Sequence, residues 1–426
     1  MVPRARSEIA FFLIFILILS PVTSVSLNAS GPADDTGAAG QQTVPYTITL
    51  FSPRSKEIHS DQITDQVNAR NGDVLLATSF GLSTFNGTWS TRHINRNNIS
   101  QGLMDDFITA VEYDHAGNLW IGYSGGIQIF NGVYYQSIRD QQLLKETRIL
   151  DLQRWNNDMW VATGHAGIHR YRDGKWTWFQ PMTKDGPGFY EVDSMALDSA
   201  SNSLVIATVN EGLWIVRSPD DPVHFDPIAG KDDAFGQMQH VRRDPLGGVY
   251  FYNPSAIVHF DNVSGFHEVL ATSDLTMEQI SINDITAGSD GSLYIATDDG
   301  MYIWCDGALY RHLNRFEGMG TSEVVRTINV DAKNRVWFAT QGHVGYYLDN
   351  TYPGDRVPIE LVTTVPTTVP VTSVKDTPAP AVQPVVTVTT PSPDSASLMN
   401  IFAQITDPIT RAISVVAKKF GVNIFS

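Results

Sequence analysis

The segment HAGNLWIGYSGGIQIFNG, residues 115–132, decides the fold. Gly117-Asn118 reads as a turn, LWIGY as a β-strand, Ser124 to Gly126 as a second turn, and IQIF as a strand running back. Asn131-Gly132 closes it with a dipeptide that favours positive φ and so specifies a tight hairpin. Upstream, ITAVEYD from Ile108 has the same apolar and β-branched character; downstream, VYYQSI at 133–138 supplies an aromatic strand. The whole is strand–turn–strand–loop–strand–turn–strand, four antiparallel strands in one short unit.

The unit recurs. LLATSFG from Leu75, MWVATGHAG from Met159, LVIATVNEG from Leu204, VYFYNPSA from Val249, LYIATDDG from Leu293 and VWFATQGH from Val336 are copies of LWIGYSGG from Leu119. Aligned on Ala77, Gly122, Ala162, Ala207, Tyr252, Ala296 and Ala339, successive copies stand 45, 40, 45, 45, 44 and 43 residues apart. A sheet unit of this size cannot bury both faces alone, so the units must stack radially, each covering its neighbours. The expectation is an all-β, seven-bladed β-propeller of four-stranded blades over residues 46–352. The large side chains two places before the alignment point, Trp120, Trp160, Tyr250, Tyr294 and Trp337 among them, are then blade-to-blade packing. A ring must also close, because open edges invite association. The last unit runs into Pro353 and Gly354 after its third strand, while YTITLFS at 46–52 stands ahead of the first unit without one of its own. This strand is expected to complete the seventh blade.

The repeats resemble the two-component-regulator propeller family, found mainly in extracytoplasmic sensor regions of hybrid histidine kinases. The pattern, a turn followed by G-N-L-W-I-G-T, then G-G-L, an aromatic and an Asn/Asp-Gly turn, is matched best by His115–Gly132 and extends over about 46 to 352. The resemblance implies a ring that binds a ligand or partner. The sequence carries no kinase, receiver or DNA-binding pattern after the propeller, so no signalling output is expected from this chain itself.

Composition agrees. Of 426 residues only 17% are charged, 42% are hydrophobic, and the formal charge is −16. An acidic chain of this kind does not suit nucleic acid, which requires a basic face. Arg4 and Arg6 followed by the apolar run from Ile9 to Leu19 read as a signal peptide over 1–30, or an uncleaved anchor, with a flexible leader at 31–45. The one cysteine, Cys305, excludes an internal disulfide and reads as a small core filler. Asn28, Asn86, Asn98 and Asn262 head Asn-x-Ser/Thr sequons, as in a secreted or cell-surface glycoprotein. Residues 353–395, rich in Thr, Pro and Val, read as an extended linker. Over 396–426, Leu398, Ile401, Phe402, Ile405, Ile409, Ile413, Val416 and Phe420 recur at helical spacing, an amphipathic tail for a membrane, an envelope partner or the propeller itself.

No nucleophile elbow, zinc-protease, phosphate-loop or paired-Cys motif is present. Asp114, Asp244 and Asp331 recur at one repeat position, which indicates hairpin caps. A unique site should break the repeat, and the loops between second and third strands do so, with His165, Asn210, Glu211, Asn253, Ser255, Asp298, Asp299, Gln341 and His343. These are the candidate ligand-binding rim, suited to a small polar ligand, a peptide, a glycan or a surface protein. Glu211 with Asp298 and Asp299 would suit Ca²⁺; no other cofactor is expected. The leading expectation is a monomeric, extracytoplasmic binding or sensing module. The alternatives are a propeller lyase or glycan-active enzyme with His165 or His343 as base, and an architectural surface component.

Overall fold

Alternating β-branched and aromatic residues punctuated by Gly, Asn and Asp turns give the chain its strands, and in the computed structural model they form 28 among the described residues. Residues 46–359 are described, apart from 56, 139–143, 145–147, 185 and 352–354. The segments read as signal peptide, leader and amphipathic tail, all but the first few residues of the linker, and Asn28 lie outside the described residues. Among the described residues no helix is long and apolar enough to cross a membrane.

The strands make seven four-stranded antiparallel sheets: a seven-bladed β-propeller. Blade 1 spans 63–92, blade 2 108–138, blade 3 149–179, blade 4 192–229, blade 5 240–271 and blade 6 282–313. Blade 7 takes three strands from 325–349 and its outer strand from Tyr46–Phe51, which pairs antiparallel with His343–Asp349, Thr49 opposite Tyr346. Two more bonds cross from blade 7 to the blade 1 region: Asn68 Nδ2 donates to Val330 O at 3.3 Å, and Gly342 N donates to Asp61 Oδ2 at 2.5 Å.

Seven sheets produce seven cores, one in each blade-to-blade interface, including that between the last and the first. Trp120, from blade 2, packs on Tyr171 and Trp176 of blade 3, with centroids 5.2 and 5.9 Å away. Trp160 and Trp337 are buried, Tyr294 nearly so, and Tyr250 is half-buried against its neighbours. The closing interface gathers Phe51, Phe85, Trp89, Trp337 and Tyr346 into one aromatic cluster, with the Arg335 guanidinium over three of the rings. Rings of this size bury roughly 150–250 Å² each, so the seam is held by dispersion and desolvation as firmly as any internal one.

The caps behave as hairpin chemistry requires. Asp114 Oδ1 accepts Asn118 N, Asp244 Oδ1 accepts Leu246 N, and Asp331 Oδ1 accepts Lys333 N and Arg335 N. At the other end of the second strand a threonine closes the next turn in blades 1, 3, 4 and 6; Thr297 Oγ1, for one, donates to Gly300 O at 2.9 Å. Gly300 there has φ +92°, and a Cβ would stand 2.2 Å from Leu313 O, so glycine is obligatory.

After blade 7 the chain turns back. Residues 355–359, within the stretch read as linker, run along the outer edge of blade 6, where Ile359 N donates to Leu309 O at 2.7 Å. Arg356 bonds Ser292 Oγ at 2.5 Å and Asp290 Oδ2 at 2.9 Å, and stacks over Tyr310. Cys305 is buried, but beside Ser292 Oγ and the Arg356 guanidinium rather than among apolar groups alone.

Candidate functional site

The innermost strands start on the face that carries the second-to-third-strand loops, and each but that of blade 5 begins with a bulge. Its register shifts between the first and third residue: Ile63/Asp65, Ile108/Ala110, Ile149/Asp151, Val192/Ser194, Ile282/Asp284 and Val325/Thr327. A bulge leaves backbone groups unpaired. Here side chains of the bulge reach across the gap between blades to backbone N–H groups of the next inner strand. Asp65 Oδ2 accepts Val111 N at 2.7 Å, Asp151 Oδ2 accepts Met195 N at 2.6 Å, Ser194 Oγ accepts Val241 N at 2.9 Å, and Asp284 Oδ2 accepts Ile328 N at 3.1 Å. The second oxygen of each aspartate accepts the next N–H of its own strand, Gln66, Leu152 and Ile285. Thr64 Oγ1 donates to Ile108 O and Asn283 Nδ2 to Val325 O by the same logic, reaching from one blade to the next.

These strands enclose a cavity of about 430 Å³ along the propeller axis, whose wall includes Asp65, Asp151, Gln153, Arg242, Asp284 and Asn329. Its charges are unevenly shared. Arg242 Nη2 lies 2.9 Å from Asp284 Oδ1, and Asp284 also accepts Tyr252 OH and Thr327 Oγ1. Burial opposes the Arg242 charge, yet Asp284 holds it above the usual guanidinium range. Asp284 is thus saturated. Asp65 and Asp151 have only backbone donors, with no basic side chain bonded to either among the described residues. Burial pushes Asp65 up to about 7, helped by the Asp151 charge, and Asp151 up to about 6. Glu112, on the strand between them, is pushed up to about 7 by burial. Three neighbouring blades therefore present carboxyl groups that hold protons near neutrality.

Blade 5 breaks the pattern. His240 occupies the position taken by aspartate in blades 1, 3 and 6, and its Nδ1 lies 2.5 Å from Asp193 Oδ2. Its ring leans on Tyr252 at 4.8 Å.

None of the nine candidate rim residues lines the cavity. They sit in loops, or at the strand ends beside them, on one face, and several have local work. His165 Nδ1 pairs with Glu191 Oε1 at 2.8 Å. Asn253 Oδ1 accepts Ser255 N, Ser255 Oγ and Ala256 N, an Asx turn. Asp298 Oδ1 accepts Ser281 N, and Asp299 Oδ2 accepts Tyr302 OH. Glu211 N donates to Thr208 Oγ1, while its Oε2 is buried without a partner. His343 Nδ1 is likewise unpartnered, and burial pulls its pKa down. Asn210 and Gln341 are exposed. Among the described residues no three His, Cys, Asp or Glu side chains are placed to hold a metal ion; Glu211 lies on blade 4, and Asp298 with Asp299 on blade 6. The residues missed from sequence, Asp65, Asp151 and Asp284, had a signal: Ile-x-Asp opens three inner strands, as ITD, ILD and IND.

No family model matches the chain, and no curated protein does. Solved structures do. The extracellular domain of BT3049 of B. thetaiotaomicron, described as a hybrid two-component system, matches 72% of this chain at 19% identity and TM-score 0.58; the match spans 42% of that chain. The extracellular domain of BT4673, described likewise and from the same organism, matches 67% at 16% identity and TM-score 0.54, over 38% of that chain. A streptogramin B lyase matches 71% at 13% identity and TM-score 0.54, over 97% of its length. The likeness is one of fold. This chain thus spans about two fifths of the two extracellular-domain chains it matches.

Proposed function

We propose that the protein is an extracytoplasmic, sensor-like binding propeller that takes a small polar molecule bearing a cationic group into its central cavity. The observation that carries the reading is the pair of cavity carboxyls, Asp65 and Asp151, left without a basic side chain while Asp284 is satisfied by Arg242. An ammonium or guanidinium group entering the cavity would supply the missing counter-charge at short range in a poorly solvated site, where such pairing is strong. A volume of about 430 Å³ admits a molecule of small-metabolite size. The fold shared with extracellular domains of two-component sensors supports the sensing role, and the N-terminal apolar segment supports export.

Calorimetric titration of the purified protein with primary amines, amino acids and polyamines, against neutral sugars and carboxylates, tests this. Binding confined to cationic compounds, weakened at least tenfold in Asp151→Asn, is expected. Equal binding of neutral sugars, or an unaffected variant, would overturn it.

One observation favours a lyase reading: His165, held by Glu191 at 2.8 Å, is an oriented imidazole on the loop face. Metal-dependent turnover of a polysaccharide or cyclic ester, lost in His165→Ala, would establish it in place of simple binding.

A further inference from the structure

Three sequons lie among the described residues, Asn86-Gly87-Thr88, Asn98-Ile99-Ser100 and Asn262-Val263-Ser264, and all three asparagines are exposed. Exposure does not distinguish them. Turn geometry does. At Asn98, Ser100 Oγ donates to Asn98 Oδ1 at 2.6 Å and Ser100 N donates to the same oxygen at 3.1 Å. At Asn86, Thr88 Oγ1 and Thr88 N donate to Asn86 Oδ1 at 3.0 and 3.3 Å. Each is an Asx turn built on the sequon asparagine. At the third site the turn is built one residue early, on Asp261. Asp261 Oδ1 accepts Val263 N and Ser264 N, both at 2.8 Å, and its Oδ2 accepts Ser264 Oγ. His267 Nε2 sits 2.7 Å from the same hydroxyl. The Ser264 hydroxyl is therefore committed elsewhere, and Asn262 stands outside its own turn.

We infer that Asn98 and Asn86 are acceptors for N-linked glycan and that Asn262 is not. A carboxamide nitrogen is a poor nucleophile because its lone pair is delocalised into the carbonyl. Donors on Oδ1 stabilise the imidate that forms as Nδ2 gives up a proton to the transferase. Nδ2 then bonds to the anomeric carbon of a polyprenyl-diphosphate-linked oligosaccharide, the carbon–oxygen bond to phosphate breaks, and the diphosphate leaves with the electron pair. The hydroxyl must lie beside the carboxamide for this, and at Asn98 and Asn86 it already does. The two glycans would stand on opposite faces: Asn98 in the connection from blade 1 to blade 2, on the face of the second-to-third-strand loops, and Asn86 in the third-to-fourth-strand turn of blade 1.

The test is incubation of the purified full chain with an oligosaccharyltransferase and its polyprenyl-diphosphate-linked oligosaccharide, beside a flexible sequon peptide in the same tube. Occupancy is read by glycopeptide mass spectrometry. Glycan at Asn98 and Asn86 with Asn262 bare is expected, as is loss of one glycan mass in Asn98→Gln or Ser100→Ala. Asp261→Ala, which releases the Ser264 hydroxyl, should gain a glycan at Asn262. Occupancy at Asn262 equal to that at Asn98, or bare Asn98 and Asn86 while the peptide is modified, would overturn the inference.

Discussion

Trp337 donates its indole N–H to Asp331 Oδ2 at 2.8 Å, and Trp120 repeats the bond to Asp114 Oδ2 at 3.1 Å. One carboxylate thus caps a hairpin with one oxygen and anchors an interface tryptophan with the other. Turn chemistry and blade packing are joined in a single side chain.

At the seam the two roles can be separated. Trp337→Ala removes the centre of the Phe51–Phe85–Trp89–Tyr346 cluster and should cost about 3–5 kcal/mol. Trp337→Phe keeps most of the packing but deprives Asp331 of one donor, and about 1 kcal/mol is expected. Urea unfolding followed by fluorescence gives both values; equal losses would show that packing is not what Trp337 supplies.

Asp65 sets a trend with pH. Its folded pKa, about 7, lies above the ordinary 3.8, so the native state holds its proton more tightly than the unfolded chain. The stabilisation this gives is present in full below about pH 4 and is lost as pH rises through 7. Asp65→Asn should therefore gain in melting temperature relative to the parent between pH 5 and pH 8, on the order of 1–2 °C per kcal/mol for a propeller of this length. Parallel melting curves across that range would refute the assignment.

His169 sets the opposite trend. It is 2% exposed, neither nitrogen has a hydrogen-bond partner, and Trp178 stacks on its ring. Burial pulls its pKa down to about 4, so the native state binds the proton less readily than the unfolded chain, whose value is near 6.5. Stability from the neutral ring is present above 6.5 and lost as pH falls through 4. His169→Phe should move the acid-unfolding midpoint to lower pH, read by circular dichroism; an unmoved midpoint would show that other groups govern acid unfolding.

The fold was legible because a propeller repeats its physics. Leu119 to Gly122 and Leu293 to Ala296 face equivalent neighbours and so carry the same kinds of residue, LWIG and LYIA. The cavity was less legible for the same reason. Asp65, Asp151 and Asp284 are latches first, bonding N–H groups of the next blade, and as a recurring letter they resemble scaffold. What makes two of them chemically available is the one Arg242 that satisfies the third, a relationship between strands far apart in sequence. The rim residues stand out from the repeat for another reason. His165 and Asn253 vary between repeats, but their variety serves local turns and ion pairs.

The pairing of Tyr46–Phe51 with His343–Asp349 carries a consequence for biogenesis. Chain leaving the ribosome presents the six residues of this strand first and their partner some three hundred residues later. During that interval the early strand has no edge to pair with, and an unpaired edge is open to annealing with a neighbouring nascent chain. A rearranged gene that moves 46–51 to follow 349 would make the seventh sheet contiguous and spare the cell that wait.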